Sequence, residues 1–116
     1  MAIAEINIIP LGTPSPAVGD YVAGAIRVLE DCDADFEVTA MGTIVEGELG
    51  TILDLARRMH ETPFAKGVLR VVTTIKIDDR RDREATRAQK VGAVRSSLRG
   101  ATGYDDGSGG GHASDG

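Results

Sequence analysis

Residues 70–82 read RVVTTIKIDDRRD, a strand-like stretch with hydroxyl, ammonium and carboxylate groups where a buried strand would carry Val or Ile. Because successive side chains of a strand point to opposite faces, we predict that Thr74, Lys76 and Asp78 share one face. Such a face can bind a polar ligand or pair with charges of a second subunit. A solvated face with incidental ion pairs is the alternative.

Catalysis has little support in the sequence. His60 has no carboxylate at a fixed spacing, and no Ser/His/Asp, Cys/His or metal-ligand spacing is present. The loop PLGTPSP lacks the Arg that the phosphate-binding loop of acylphosphatases requires. We therefore predict a protein that is not an enzyme and uses no cofactor, with His60 at the surface near a helix end.

Length, charge and cysteine content narrow the class of protein. The 116 residues are 41% hydrophobic, which suits one compact domain. A net charge of -5 disfavours nucleic acid and anionic membranes and favours a neutral or cationic small ligand. No apolar run approaches the roughly 20 residues of a membrane span, and no signal peptide is visible, so we expect a cytoplasmic protein. Cys32 is the only cysteine, which excludes an internal disulfide.

The periodicity of apolar residues predicts four strands and three helices. Alternation marks strands at residues 2–9, 36–40, 43–47 and 68–77. Apolar stripes at three- and four-residue steps mark helices at residues 16–31 and 48–61, the second ending at Thr62 and Pro63. Sparse small apolar residues suggest a third helix at residues 82–98.

The predicted order βαββαβ indicates an α+β fold, the ferredoxin-like plait. In this fold a four-stranded antiparallel sheet carries two helices on one face, and the third helix follows at the C-terminus. Residues 1–98 form the predicted single domain. Residues 99–116 have almost no apolar side chains and much Gly, Ser and Asp, so we predict a disordered tail.

The sheet face without helices is the predicted functional surface, because it must be solvated, covered by a partner or used for a ligand. Alternation assigns Ala4, Ile6, Phe36, Val38, Val71, Thr73, Ile75 and Ile77 to the helix side. It assigns Glu5, Asn7, Ile9, Glu37, Thr39, Val72, Thr74, Lys76 and Asp78 to the open side. The third strand adds either Thr43 and Val45 or Ile44 and Glu46, and the pattern does not choose between them.

Three motifs resemble a known family: INIIPLGT near the start, AMGTIVEGEL in the middle and RVVTTIKIDDRRD near the end. In this order and spacing they are similar to the small thiamine-binding proteins, also called the MTH1187/YkoF-like or UPF0045 family. The resemblance covers residues 1–98. It implies a ferredoxin-like fold, assembly into dimers and homotetramers, and non-catalytic binding of thiamine or its hydroxymethylpyrimidine part between packed sheets.

Thiamine combines an aminopyrimidine, which suits a carboxylate or amide, with a thiazolium cation, which suits negative charge. With this ligand implied, Glu46 is the best carboxylate candidate, and Thr43 and Thr74 can supply hydroxyls. Met41 can offer a soft contact to the ring. Further candidates near the first loop are Asn7, Thr13 and Tyr21.

Lys76 does not suit a cationic ligand, because its ammonium group would repel the thiazolium. It must pair with Glu5 or Glu37, point away, or mark an anion site. With Arg80 and Arg81 nearby, a phosphorylated thiamine is an alternative ligand. A structural or regulatory oligomerisation module without a small ligand is the alternative from another functional class.

Overall fold

A computed structural model of the protein describes residues 1–13, 19–82 and 86–102, the last three of these by their backbone alone. The elements are β1 (Ala2–Leu11), α1 (Gly19–Asp31), β2 (Asp35–Thr39), β3 (Gly42–Gly47), α2 (Leu49–Ala65), β4 (Arg70–Asp79) and α3 (Arg87–Thr102). The predicted start of the first helix lies outside the described residues.

The four strands form one antiparallel sheet in the order β2-β3-β1-β4. This is the strand order of the ferredoxin-like plait, and the predicted fold class is confirmed. β1 is central: Ala4 lies opposite Val45 of β3 and Ile77 of β4. The long pairing of β1 with β4 extends over all ten residues of each strand, from Ala2 with Asp79 to Leu11 with Arg70.

The core lies between one face of the sheet and the helices α1 and α2. Small Ala2 and Ala4 and larger Ile6 and Val45 are buried on this face. They pack against buried apolar residues of the two helices: Ala25, Leu29, Ile52, Leu55, Ala56 and Met59. Alanine on the central strand lets the helices approach the sheet closely, which suits a core almost without aromatic residues.

The chain divides into two compact units, residues 1–84 and residues 85–116. The first unit contains the sheet with α1 and α2. The second contains α3, which continues to Thr102 and thus includes the first residues of the predicted tail. The remainder of that tail, residues 103–116, lies outside the described residues.

The prediction that Thr62 and Pro63 end the second helix was wrong, because α2 continues through a buried Pro63 to Ala65. Proline has no N–H to donate to the carbonyl four residues earlier. Here that carbonyl belongs to Met59, and the Thr62 hydroxyl donates to it instead at 2.8 Å. The helix therefore keeps this acceptor satisfied across the proline.

β4 begins and ends two residues later than its predicted bounds of 68 and 77. Val68 belongs to the turn that follows α2, since its N–H donates to the Pro63 carbonyl and its side chain is buried. Gly67 allows this reversal with a φ of 90°, in the region that favours glycine. At the other end, pairing with Ala2 extends the strand to Asp79.

Candidate functional site

The register of β3 shows which of its side chains lie on the open side of the sheet, a choice that alternation alone could not make. Thr43 lies opposite the buried Ile6 and is itself only 6% exposed. Glu46 lies opposite Ile3, and Ile44 opposite Glu5. Because directly opposite residues share a face, Ile44 and Glu46 are on the open face and Thr43 is on the helix side. Two of the predicted site residues, Thr43 and Glu46, are thus on opposite sides of the sheet.

The open face consists of polar and charged side chains mixed with partly exposed apolar ones. We use this name for Ile3, Glu5, Asn7 and Ile9 of β1, Asp35, Glu37 and Thr39 of β2, Ile44 and Glu46 of β3, and Arg70, Val72, Thr74, Lys76 and Asp78 of β4. Five carboxylates face two cationic groups, so the surface has a net negative charge. The excess of carboxylates favours a cationic ligand over an anionic one.

The polar groups of the open face are arranged in rows across the strands. Asn7 lies opposite Thr74, which makes one end of the face rich in amide and hydroxyl groups. Glu46 and Asp78 both lie opposite Ile3, which makes the other end acidic. Four residues of strand separate Asn7 from Ile3, or about 13 Å. Only an extended ligand can therefore contact both ends.

Lys76 lies between these two ends, directly opposite Glu5. The two residues border a shallow groove of about 180 Å³, together with Ile3, Ile44 and Asp78. Within the described part of the chain, no carboxylate lies within 4.0 Å of the Lys76 ammonium group. Lys76 and Glu5 are therefore directly opposite each other in the sheet, as expected for a pair, but they do not form an ion pair.

The Asn7 amide occupies the space that a side chain at Gly42 would fill. A Cβ atom added to Gly42 would lie 2.7 Å from Asn7 Oδ1 and 3.1 Å from Nδ2, closer than side chains tolerate. The turn before Gly42 is organised by Thr39, whose Oγ1 accepts hydrogen bonds from the Met41 and Gly42 N–H groups and donates to the Gly42 carbonyl at 2.8 Å. Thr39 and Gly42 were not among the predicted site residues, although Thr before a two-residue turn is a recognisable signal.

A second candidate site is a cavity of about 220 Å³ between α1, α2 and the β2–β3 turn. It brings together three predicted site residues: Asn7, Thr43 and the 80% exposed Met41. The rest of its lining is mainly apolar and comes from Ile6, Ile8, Val22, Ala25, Ile26, Val38, Thr39, Ala40, Gly42 and Met59. The volume is below the roughly 300–1,000 Å³ of drug-sized ligand pockets, so the cavity suits a single ring.

Two predicted site residues line neither surface. Thr13 is partly buried in the loop after β1. Tyr21 lies on α1, where the Lys66 ammonium group sits 5.7 Å from its ring centroid. Lys66 also donates to the Asp20 carbonyl at 3.0 Å, which links the end of α2 to α1. The geometry therefore gives Tyr21 a helix-packing role.

His60 is half-buried, and the prediction of a surface position was wrong in this respect. Its Nδ1 lies 2.6 Å from the Thr73 hydroxyl of β4, and its ring packs edge-on against Phe64 at 5.4 Å. These contacts bind α2 to β4.

The two arginines considered for a phosphate group already have carboxylate partners. Arg80 donates two hydrogen bonds to Asp82, at 2.6 and 2.9 Å, and Arg81 donates two to Asp79, at 2.8 and 3.1 Å. These bonds lower the pKa of Asp79 and raise the pKa of both arginines. A phosphate would have to compete with these carboxylates, which weakens the case for an anion site.

Among residues 1–13, 19–82 and 86–102, no group of three or more His, Cys, Asp or Glu side chains could hold a metal ion. No helix within these residues is both long and apolar enough to cross a bilayer.

Comparison with known proteins confirms the resemblance of the three sequence motifs. Residues 4–95 match the family described as Thiamine-binding protein. The UPF0045 protein YqgV of Bacillus subtilis (strain 168) is 43% identical over 102 residues, which cover 84% of this chain and 98% of the relative. A UPF0045 protein of Methanothermobacter thermautotrophicus is 38% identical over 99 residues, which cover 84% and 100%. The crystal structure of the MJ1052 protein of Methanocaldococcus jannaschii has a TM-score of 0.72 at 42% identity, and the match covers 80% of this chain and 94% of that one. The chain therefore belongs to the thiamine-binding protein family.

Proposed function

We propose that the protein is a cytoplasmic, non-catalytic binder of thiamine or of its hydroxymethylpyrimidine part, and that the ligand is held on the open face at an interface between subunits. The observation that carries the proposal is the acidic open face in a chain of the thiamine-binding family. Thiamine is a cation, and a surface with an excess of carboxylates attracts it.

The two ends of the open face match the two rings of the ligand. Asn7 and Thr74 offer an amide and a hydroxyl, which can exchange hydrogen bonds with an aminopyrimidine. Glu46, about 13 Å away along the sheet, offers negative charge to the thiazolium. The side chains of Asn7 and Glu46 can extend toward each other, so the distance that an extended two-ring ligand must span is shorter than the separation of the two residues along the strand.

A second subunit is part of this proposal because an open sheet face cannot enclose a ligand alone. Ile9 and Val72 are 49% and 43% exposed on this face, and Ile3 and Ile44 are partly exposed. Packing two such faces together would bury these side chains and exclude water from the ligand. A dimer or homotetramer built in this way would surround each ligand with protein.

Calorimetric titration with thiamine, its phosphates and hydroxymethylpyrimidine tests the proposal. We expect saturable binding of thiamine, weakened by about 1–3 kcal/mol in a Glu46→Gln variant because the negative charge opposite the thiazolium is lost. Glu61→Gln is the matched control, since it makes the same charge change on the exposed surface of α2. Equal affinity in Glu46→Gln and wild type would remove Glu46 from the site.

A Thr43→Val variant distinguishes the open face from the cavity between α1, α2 and the β2–β3 turn. Thr43 lines the cavity and is buried on the helix side of the sheet. If Thr43→Val loses binding and Glu46→Gln retains it, the ligand binds in the cavity and not on the open face. If the folded oligomer shows no saturable binding of any of these ligands up to millimolar concentration, a role as an oligomerisation module without a small ligand explains the protein better.

A further inference from the structure

The lining of the cavity between α1, α2 and the β2–β3 turn divides into a buried floor and an exposed rim. On the floor, Ala25 and Met59 are only 3% and 1% exposed, whereas Val38 and Met41 on the rim are 55% and 80% exposed. A small molecule can therefore enter the cavity from solvent and lie against side chains of the hydrophobic core.

The cavity has no charge of its own. Among the described residues that line it, none has an ionisable side chain. A charged molecule would lose its hydration there without gaining an opposite charge, which is costly. The open face, with its excess of carboxylates, has the opposite character. The cavity therefore favours uncharged ligands and disfavours thiamine, which is a cation.

The Thr43 hydroxyl provides a polar group on the floor of the cavity. Thr43 is buried, and its side chain has no hydrogen-bond partner among the described residues. Every fully buried side-chain oxygen or nitrogen of the buried and half-buried residues in this part of the chain does have a partner. The Thr43 oxygen must therefore border open space, which here is the cavity. Thr39, the other hydroxyl in the lining, is already bonded to the backbone of its own turn.

The size and polarity of the cavity together indicate an aromatic ring with a polar substituent. Apolar protein cavities of roughly 150 Å³ stay dry and bind benzene, because a buried water needs about two to four polar partners. The volume of about 220 Å³ leaves room for a substituent beside the ring. That substituent can exchange a hydrogen bond with Thr43, since a hydroxyl both donates and accepts. The thioethers of Met41 and Met59 suit the edge of such a ring.

We propose that this cavity is a separate binding site for an uncharged molecule with a single six-membered aromatic ring, and that the Thr43 hydroxyl recognises its hydrogen-bonding substituent. Thr43 lies on the helix side of the sheet, so the cavity can be occupied while thiamine is bound on the open face. The inference goes beyond the proposed function and does not depend on thiamine binding.

Methionine methyl NMR with phenol as the probe tests whether the cavity is occupied. The chain has three methionines, of which Met41 and Met59 line the cavity and Met1 does not. The ring current of phenol should shift the Met41 and Met59 methyl signals to saturation and leave Met1 unchanged. N-methylpyridinium, a cation of similar size, should produce no saturable shift at the same concentrations. No saturation with phenol, or an equal response to the two probes, would overturn the inference.

A Thr43→Val variant tests recognition of the substituent. Valine keeps the shape of the threonine side chain without its hydroxyl, so the dissociation constant of phenol should rise about fivefold. The dissociation constant of toluene, which has no hydrogen-bonding group, should not rise. Thr74→Val, the same substitution on the open face, is the matched control and should bind phenol as the wild type does. Equal weakening of phenol and toluene in Thr43→Val, or wild-type affinity for phenol, would contradict the role of Thr43.

A block at the rim and a competition experiment test whether the two sites are separate. Val38→Trp fills the mouth of the cavity from an exposed position and should abolish phenol binding, whereas Val38→Thr keeps the side-chain shape and should retain it. Saturation of the wild type with phenol should leave its affinity for thiamine unchanged. Retention of phenol binding in Val38→Trp, or displacement of phenol by thiamine, would be incompatible with a separate site. Binding of phenol without any binding of thiamine would support this inference and contradict the proposed function alone.

Discussion

Asn7 and Gly42 are in direct contact: a Cβ on Gly42 would approach Asn7 Oδ1 to 2.7 Å. The contact joins the central strand to the β2–β3 turn. It also involves the one predicted site residue that belongs to the open face and at the same time lines the cavity near the β2–β3 turn. The place of the Asn7 amide therefore depends on the absence of a side chain at residue 42.

A Gly42→Ala variant should displace the Asn7 amide and weaken ligand binding. Loss of one hydrogen bond corresponds to about 1 kcal/mol, or roughly fivefold in the dissociation constant, which calorimetry can measure. Gly50→Ala is the control, since a Cβ at Gly50 meets nothing within 4 Å. In α2 that change should raise the free energy of unfolding by up to about 1 kcal/mol and leave affinity unchanged. Wild-type affinity in Gly42→Ala would show that Asn7 does not contact the ligand.

Removal of the Lys76 ammonium group should have opposite effects on cationic and phosphorylated ligands. Lys76 borders the groove beside Glu5 and Asp78, where it offsets part of the negative charge. In Lys76→Gln we expect thiamine to bind roughly two- to fivefold more tightly, by on the order of 0.5–1 kcal/mol at an exposed site. Thiamine phosphates should gain less or bind more weakly. Tighter binding of the phosphates than of thiamine by the wild type would instead assign Lys76 to an anion site.

The sequence was sufficient for the order of elements because the period-two and helical patterns are local. It could not choose the face of β3, since both alternating sets mix polar and apolar residues. That choice is made by a distant contact, the pairing of Thr43 with the buried Ile6. As a result the predicted site combined Thr43 and Glu46, which the sheet separates. The cavity was not predicted because its lining comes from five elements: β1, α1, β2, β3 and α2.

Asp54 on α2 provides a test of electrostatics by pH. Hydrogen bonds and charge from Arg57, followed by Arg58, hold the pKa of its carboxyl below the ordinary 3.8. The Arg57 and Arg58 nitrogens lie 2.7 and 3.0 Å from its oxygens. Because the pKa is lower in the folded state, the pairs stabilise the fold above the ordinary pKa, and this contribution is lost as pH falls through the lowered value.

Carboxyl NMR titration should therefore give Asp54 a pKa below 3.8 in the wild type and a higher one in Arg57→Gln/Arg58→Gln. Denaturant unfolding should show that the wild type loses more stability on acidification than Asp54→Asn. A titration of Asp54 unchanged by the double substitution would mean that the ion pairs do not persist in solution.

The bond between the Thr62 hydroxyl and the Met59 carbonyl should be measurable as stability. Met59 is buried, and removal of the hydroxyl deprives its carbonyl of this donor. Thr62→Ala should lower the free energy of unfolding by about 1 kcal/mol, whereas Thr62→Ser, which retains the hydroxyl, should lose less. Chemical denaturation of the three proteins decides this, and equal losses in both variants would assign the effect to the Thr62 methyl group.

The stability cost of replacing Thr62 depends on whether residue 63 is a proline. An alanine at residue 63 would restore the N–H that proline lacks, and the Met59 carbonyl would then no longer need the hydroxyl. The penalty for losing Thr62 should shrink once Pro63 has been replaced, so the effects of the two substitutions are not additive. The order in which these positions change therefore matters: a lineage can lose the threonine at little cost only after it has lost the proline.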